Sequence, residues 1–162
     1  MPNGPFPWPW RGPEGRRVTL AGAAWIALLL AWGWVALRAV PGAAPSPWPP
    51  EVARDAPLYA RFDSGWYAGI ARDGYGPPPP PGTESEHAFF PLYPLLAGAL
   101  HHATGLGVFR SLVAVSWAAF LLALPLFLEE ARRRGTPSRA WRALPFLLLY
   151  PSAFFLQAAY GD

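Results

Sequence analysis

The sequence predicts an all-α, polytopic transmembrane protein, with about three spanning helices and interfacial helices in the first extracytoplasmic loop. Hydrophobic residues make up 52% of the 162-residue chain and charged residues only 14%, whereas an average soluble domain has about 25% charged residues. Three blocks, at 18–37, 111–128 and 143–160, contain no charged residue. Each is long enough, or nearly so, to cross a hydrocarbon core of about 30 Å.

The order of these blocks predicts the organisation of the chain. We expect a disordered cytoplasmic N-terminus at 1–17, a transmembrane helix at 18–40, and an extracytoplasmic loop at 41–87 that contains an interfacial helix at 58–72. An outer-leaflet or spanning helix follows at 88–104, then a transmembrane helix at 108–130, a cytoplasmic loop at 131–141 and a transmembrane helix at 142–160.

The first block has a signal peptide as its alternative, because Arg16 and Arg17 precede an apolar run. The apolar core of a signal peptide is about 7–15 residues long. This block is longer and contains Trp25, Trp32 and Trp34. A retained transmembrane helix is therefore the favoured interpretation, with the arginines on its cytoplasmic side.

The loop at 41–87 carries six acidic residues against three arginines, which places it outside the membrane. Within it, Leu58, Phe62, Trp66 and Ile70 recur at every fourth residue, as on one face of a helix. Such a helix would lie in the membrane interface with its aromatic face down. Periodicity alone favours a purely structural amphipathic anchor.

The segment at 88–104 decides on which side of the membrane the chain lies after the helix at 108–130. It is short, contains Pro91 and Pro94, and ends at His101 and His102. Arg132, Arg133 and Arg134 then return the chain to the cytoplasm. If 88–104 is a helix in the outer half of the membrane, 108–130 makes a single full crossing, and the arginine cluster then lies in the cytoplasm. If 88–104 spans, the arginine cluster lies outside.

Several functional classes are disfavoured. The chain has no cysteine, which excludes disulfide and thiolate chemistry. Its net charge of +3 comes from arginines beside the apolar blocks, so we predict membrane lipids and no nucleic acid as partners. His101 and His102 are adjacent and point about 100° apart on a helix, so no metal and no cofactor are predicted. The oligomeric state is left open.

Three segments carry a family resemblance: RFDSGWYAGIARDGY at 61–75, FFPLYPLL at 89–96 and LYPSAFFLQAAYGD at 149–162. In this order they resemble the PIG-V family, membrane mannosyltransferases related to GPI mannosyltransferase 2, over about 100 residues of the chain. The resemblance implies a GT-C type glycosyltransferase that uses a polyprenyl- or dolichyl-phosphate hexose donor. It implies the plasma membrane in a bacterium and the endoplasmic reticulum membrane in a eukaryote.

The same resemblance assigns residues. Asp63 takes the place of the catalytic aspartate in the first outer loop. The expected substrate-binding residues are Arg61, Trp66, Tyr67, Arg72, Tyr75, Tyr93, Tyr160 and Asp162. Phe62 stands where the family has tryptophan, and Asp162 stands where it has glutamate.

Family members have more spans than this chain, so we expect an N-terminal fragment, which can be inactive alone. The alternative function is a non-catalytic integral membrane subunit or scaffold that binds a partner through its interfacial helix.

Overall fold

The computed structural model describes residues 12–39, 63–135, 137–150 and 153. All regular elements in this part of the chain are helical, which confirms the all-α class for it. The helices are α1 (Pro13–Ala39), α2 (Ser64–Asp73), α3 (Leu92–Thr104), α4 (Val108–Arg134) and α5 (Pro137–Leu148), with a short 3-10 turn at Glu86–Ala88.

Two of the described helices are long and apolar enough to cross a membrane, at Pro13–Ala36 and Val108–Arg134. Only 17% of the apolar window in the first helix is buried against the rest of the chain, and 44% in the second. Most of this apolar surface therefore has no cover from the protein itself. The predicted third span is not among these helices.

Helix α1 begins earlier than predicted. It starts at Pro13, so residues 13–17 of the predicted disordered N-terminus are helical. Proline is favoured at the first helical position, and Glu14 in the first turn complements the helix dipole. These signals extend the helix beyond its apolar block, whereas residues 1–11 lie outside the described part of the chain.

Helices α1 and α4 pack antiparallel. Glu14 near the start of α1 pairs with Arg132 near the end of α4 at 2.5 Å. Val18 packs in one cluster with Leu124 and Leu128, together with Ala140 and Leu144 of α5. We call the end formed by Glu14, Arg16, Arg17 and Arg132–Arg134 the basic end.

The opposite end of α4 holds a second cluster. Tyr67, Ala68 and Ala71 of α2 pack with Ala97 of α3 and with Phe109, Leu112 and Val113 of α4. Helices α2 and α3 approach closely, because a Cβ on Gly98 would collide with the Ala71 carbonyl oxygen and lie 3.2 Å from its carbon. We call α2, the 3-10 turn and α3, packed on the first half of α4, the aromatic end.

The bounds of α2 and α3 differ from those predicted. Helix α2 begins at Ser64 and not at 58, and residues 58–62 lie outside the described part of the chain. The predicted 88–104 helix begins at Leu92 because Ala88 belongs to the 3-10 turn and Phe89 is extended. Thirteen residues rise about 20 Å, so α3 is shorter than a hydrocarbon core of about 30 Å.

The predicted loop at 131–141 is mostly helical. Helix α4 continues to Arg134 through ion pairs one turn apart, from Glu129 to Arg133 and from Glu130 to Arg134. Helix α5 begins at Pro137 and ends at Leu148. Of the predicted span at 142–160, residues 151–152 and 154–160 lie outside the described part, so this span stays a prediction.

Candidate functional site

Asp63 stands at the N-terminus of α2. Its backbone carbonyl accepts hydrogen bonds from the N–H groups of Trp66 at 2.9 Å and Tyr67 at 3.3 Å, which begins the helix. Its side chain makes no capping hydrogen bond and is exposed. The carboxylate is therefore accessible from outside the protein and is held where the helix dipole favours negative charge.

The aromatic residues of the two motif segments form one cluster. The Tyr67 ring meets Phe89 edge-on at 4.9 Å and Tyr93 at 5.1 Å between centroids. Trp66 stacks on Phe89 at 6.1 Å with an interplanar angle of 24°. Tyr67 is only 3% exposed, so its ring packs in the core of the aromatic end.

Two tyrosine hydroxyls of this region form hydrogen bonds within the protein. Tyr75 donates a hydrogen bond to the Phe89 carbonyl at 2.7 Å. The Tyr93 hydroxyl donates to the Leu112 carbonyl at 3.1 Å and lies 3.0 Å from the Ser116 hydroxyl oxygen. Tyr75 thus joins the first motif segment to the second, and Tyr93 joins the second to α4. Tyr75 and Tyr93 therefore have structural partners within the chain.

A cleft of about 380 Å³ lies along one face of α2. It is lined by Gly65, Trp66, Gly69, Ile70, Asp73, Gly74, Gly76 and Glu86. A Cβ on Gly69 would meet no atom within 4 Å, so the helix backbone is open to the cleft at that position. The cleft thus combines an aromatic ring, an uncovered helix backbone and two carboxylates. Asp63 does not line it, although Gly65 and Trp66 follow directly.

The two carboxylates of the cleft are held by hydrogen bonds. Arg72 pairs with Asp73, with 2.7 Å between Nη2 and Oδ2 and 2.9 Å between Nε and Oδ2. The hydrogen bond from Arg72 lowers the pKa of Asp73. Glu86 Oε1 accepts from the Gly76 N–H at 2.7 Å, which lowers the pKa of Glu86. Both groups are therefore ionised at neutral pH.

The position of Gly76 explains how Glu86 reaches the cleft. A Cβ on Gly76 would lie 2.8 Å from Glu86 Oε1, so a larger residue would displace the carboxylate. The loop between Gly76 and Glu86 contains five consecutive prolines, Pro77–Pro81, which restrict its backbone conformation. The contact of Glu86 with Gly76 across the proline run had no sequence signal.

The remaining predicted site residues are placed as follows. Trp66 lines the cleft and Arg72 lies beside it, whereas Tyr67, Tyr75 and Tyr93 do not line it. Arg61, Tyr160 and Asp162 lie outside the described residues. Among the residues that are described, no group of three or more His, Asp or Glu side chains is arranged to hold a metal ion.

Comparison with known proteins gives no relative. No protein family, curated protein or solved structure matches this chain.

Proposed function

We propose that this protein is an integral membrane glycosyltransferase that moves a hexose, mannose by the family resemblance, from a polyprenyl- or dolichyl-phosphate carrier to an acceptor hydroxyl. One observation carries the proposal. The first two motif segments, separated along the chain, pack into one aromatic unit beside a cleft, with the accessible Asp63 carboxylate at the same end of α2 as Trp66.

The cleft suits a sugar in size and in chemistry. Its volume of about 380 Å³ lies in the range of small-molecule sites, about 300–1,000 Å³. A sugar ring can lie with its C–H face against Trp66, where Gly65 and Gly69 leave room beside the helix. Asp73 and Glu86 can accept hydrogen bonds from sugar hydroxyls, because ionised carboxylates are strong acceptors.

The reaction requires a base and a leaving group. As the acceptor oxygen attacks the anomeric carbon, Asp63 accepts its proton and the bond from that carbon to the phosphate oxygen breaks. The bonding electrons leave with the lipid phosphate, in a single inverting displacement. Asp63 suits the base because no capping bond occupies its carboxylate.

A cation must stabilise the lipid phosphate as it leaves. Arg72 lies next to the cleft but is paired with Asp73. Its hydrogen bond to that carboxylate would have to be shared with the phosphate. Arg61 is the other candidate for this role.

The arrangement of the helices supports an extracytoplasmic site. The basic end carries five arginines against one glutamate, or three when Glu129 and Glu130 of the adjoining turn are included, and such an end favours the cytoplasmic side. The aromatic end lies at the other end of the antiparallel α1–α4 pair. On α3, Leu92, Leu95 and Leu96 are at least half exposed, which supports a helix in the outer leaflet. The protein would thus bind a donor lipid in that leaflet.

A scaffold function is the second candidate. The hydroxyls of Tyr75 and Tyr93 bond within the protein, Tyr67 is buried, and Asp63 does not line the cleft. These facts favour an aromatic end that is built for stability and for binding a partner.

Sugar transfer separates the two functions. The full chain in lipid vesicles is given radiolabelled polyprenyl-phosphate mannose and membrane-extracted acceptors, and transfer is counted. We expect Asp63→Asn to lower the rate at least about 100-fold, the usual contribution of a general base. Glu84→Gln is the matched control, since Glu84 is an exposed carboxylate of the same loop that does not line the cleft. Survival of transfer within a few-fold in Asp63→Asn would favour the scaffold.

A further inference from the structure

A second groove lies far from the aromatic end. It has a volume of about 750 Å³ and runs between α1 and α4 near the basic end. It is lined by Pro13, Arg16, Thr19, Leu20, Leu121, Leu122 and Pro125. The proposed sugar transfer uses none of these residues, so the groove requires its own explanation.

The wall of this groove is apolar and uncovered. Leu20 is 69% exposed and Leu122 is 58% exposed. The two helices approach closely at Gly22, where a Cβ would lie 3.0 Å from Leu121 Cδ2. The two helices are therefore in contact next to the groove, while its leucine side chains remain exposed. An acyl chain of the bilayer is the apolar molecule that such a surface meets in a membrane.

One cation stands at the mouth of the groove. Arg16 is exposed, and its guanidinium has no partner among the residues that the structure describes. The neighbouring glutamates are already paired, because Glu14 binds Arg132 and the glutamates at the end of α4 bind Arg133 and Arg134. Leu20 follows Arg16 by one helical turn, about 6 Å along the axis.

This spacing matches the two parts of a phospholipid. We propose that the groove binds one anionic phospholipid from the leaflet at the basic end, with its phosphate on Arg16 and one acyl chain along Leu20 and Leu122. A free phosphate ion would leave the leucines uncovered. The excess of arginine at this end favours an anionic headgroup over a zwitterionic one.

The test uses a photoreactive lipid and two matched arginines. The full chain is placed in phosphatidylcholine vesicles that contain a small fraction of photoreactive phosphatidylglycerol with its reactive group on the acyl chain. After illumination, the labelled peptides are mapped and the yield on 13–25 and 121–125 is measured. Arg16→Gln and Arg17→Gln remove the same charge from adjacent exposed positions, but only Arg16 lines the groove.

We expect label on both groove segments. Arg16→Gln should lower its yield about fivefold, in keeping with the attraction of one basic side chain to an anionic surface. Arg17→Gln should change the yield less than about twofold. Arg16→Lys should keep most of the yield, and unlabelled phosphatidylglycerol should compete where glycerol phosphate does not. An equal loss of labelling yield in Arg16→Gln and Arg17→Gln would mean that the general positive potential of this surface attracts the lipid, and it would overturn the proposal. So would equal labelling by photoreactive phosphatidylcholine, or label confined to residues outside the groove.

Discussion

The two ends of the α1–α4 pair are held together by different contacts. At the basic end the helices meet through aliphatic side chains and the Glu14–Arg132 ion pair. The closest approach, at Gly22, is to the side-chain ends of Leu121 and Leu124. At the aromatic end the closest approach, at Gly98, is to the backbone of Ala71, and the surrounding contacts are aromatic rings with fixed angles.

This difference indicates how each end responds to change. A leucine side chain can rotate away from an added atom, whereas a carbonyl within a helix is fixed by the helix itself. We therefore expect the aromatic end to be the more rigid of the two, as the proposed substrate site would require. The basic end can adapt, which suits contact with lipid.

The largest effect is expected when a methyl group is added at the aromatic end. Gly98→Ala would drive its Cβ into the Ala71 carbonyl, so α2 and α3 must separate. We expect a loss of about 2 kcal/mol in the free energy of unfolding, as for other overpacked contacts. Denaturant titration of the purified protein in detergent, followed by circular dichroism, measures it.

Two other glycines are the controls for this prediction. Gly22→Ala meets the side-chain ends of Leu121 and Leu124 and, at ordinary contact distance, the ring of Phe120, with no backbone atom among these nearest contacts, so its cost should be smaller, about 1 kcal/mol. Gly69→Ala meets no atom and should be neutral or stabilising by up to about 1 kcal/mol, because alanine favours the helix. If Gly22→Ala destabilised the protein more than Gly98→Ala, the two ends would not differ as described.

A smaller effect is expected from one hydroxyl group. Tyr93→Phe removes the hydrogen bonds to the Leu112 carbonyl and to Ser116 and keeps the ring that meets Tyr67. We expect a loss of about 1 kcal/mol, measured by the same titration. Tyr150→Phe, at an exposed tyrosine, should change nothing. A neutral Tyr93→Phe would mean that this hydroxyl does not hold α3 to α4.

The smallest effect concerns the charges of the cleft. The pKa of Asp73 is lowered in the folded protein by Arg72, so this contact stabilises the fold at neutral pH. The contribution of this ion pair to stability is lost as the pH falls from about 4, near the pKa of Asp73 in the unfolded chain, through its lower pKa in the folded protein. Both groups are exposed, so the effect on stability is small. In carboxyl NMR titrations, Arg72→Gln should raise the pKa of Asp73 and leave that of Glu86 unchanged. An unchanged Asp73 would show that the pair does not form in solution.

The sequence predicted the helical class and the presence of helices around Trp66 and Tyr93. The uncharged blocks predicted α1 and α4, but no sequence signal predicted that the two motif segments pack against each other. The bounds were less accurate, because Pro13 and the ion pairs of Arg133 and Arg134 extend both helices beyond their apolar blocks.

The cleft could not be predicted. It depends on Glu86 returning across a proline run to the Gly76 N–H and on the open backbone at Gly69. Such a contact is set by the path of the loop, on which periodicity and charge give no information. The burial of Tyr67 was also not predicted, because the sequence motif does not distinguish a tyrosine that binds a sugar from one that packs in the core.

The proposed sugar transfer requires the aromatic end to face the outside of the membrane and the basic end to face the cytoplasm. The chain has no cysteine, so single-cysteine variants report position without background. Glu84→Cys and Gly135→Cys introduce a thiol at exposed positions near the two ends. With a membrane-impermeant maleimide, we expect Glu84→Cys to react in intact cells and Gly135→Cys to react only after permeabilisation. Reaction of both variants in intact cells, or of Gly135→Cys alone, would contradict the account.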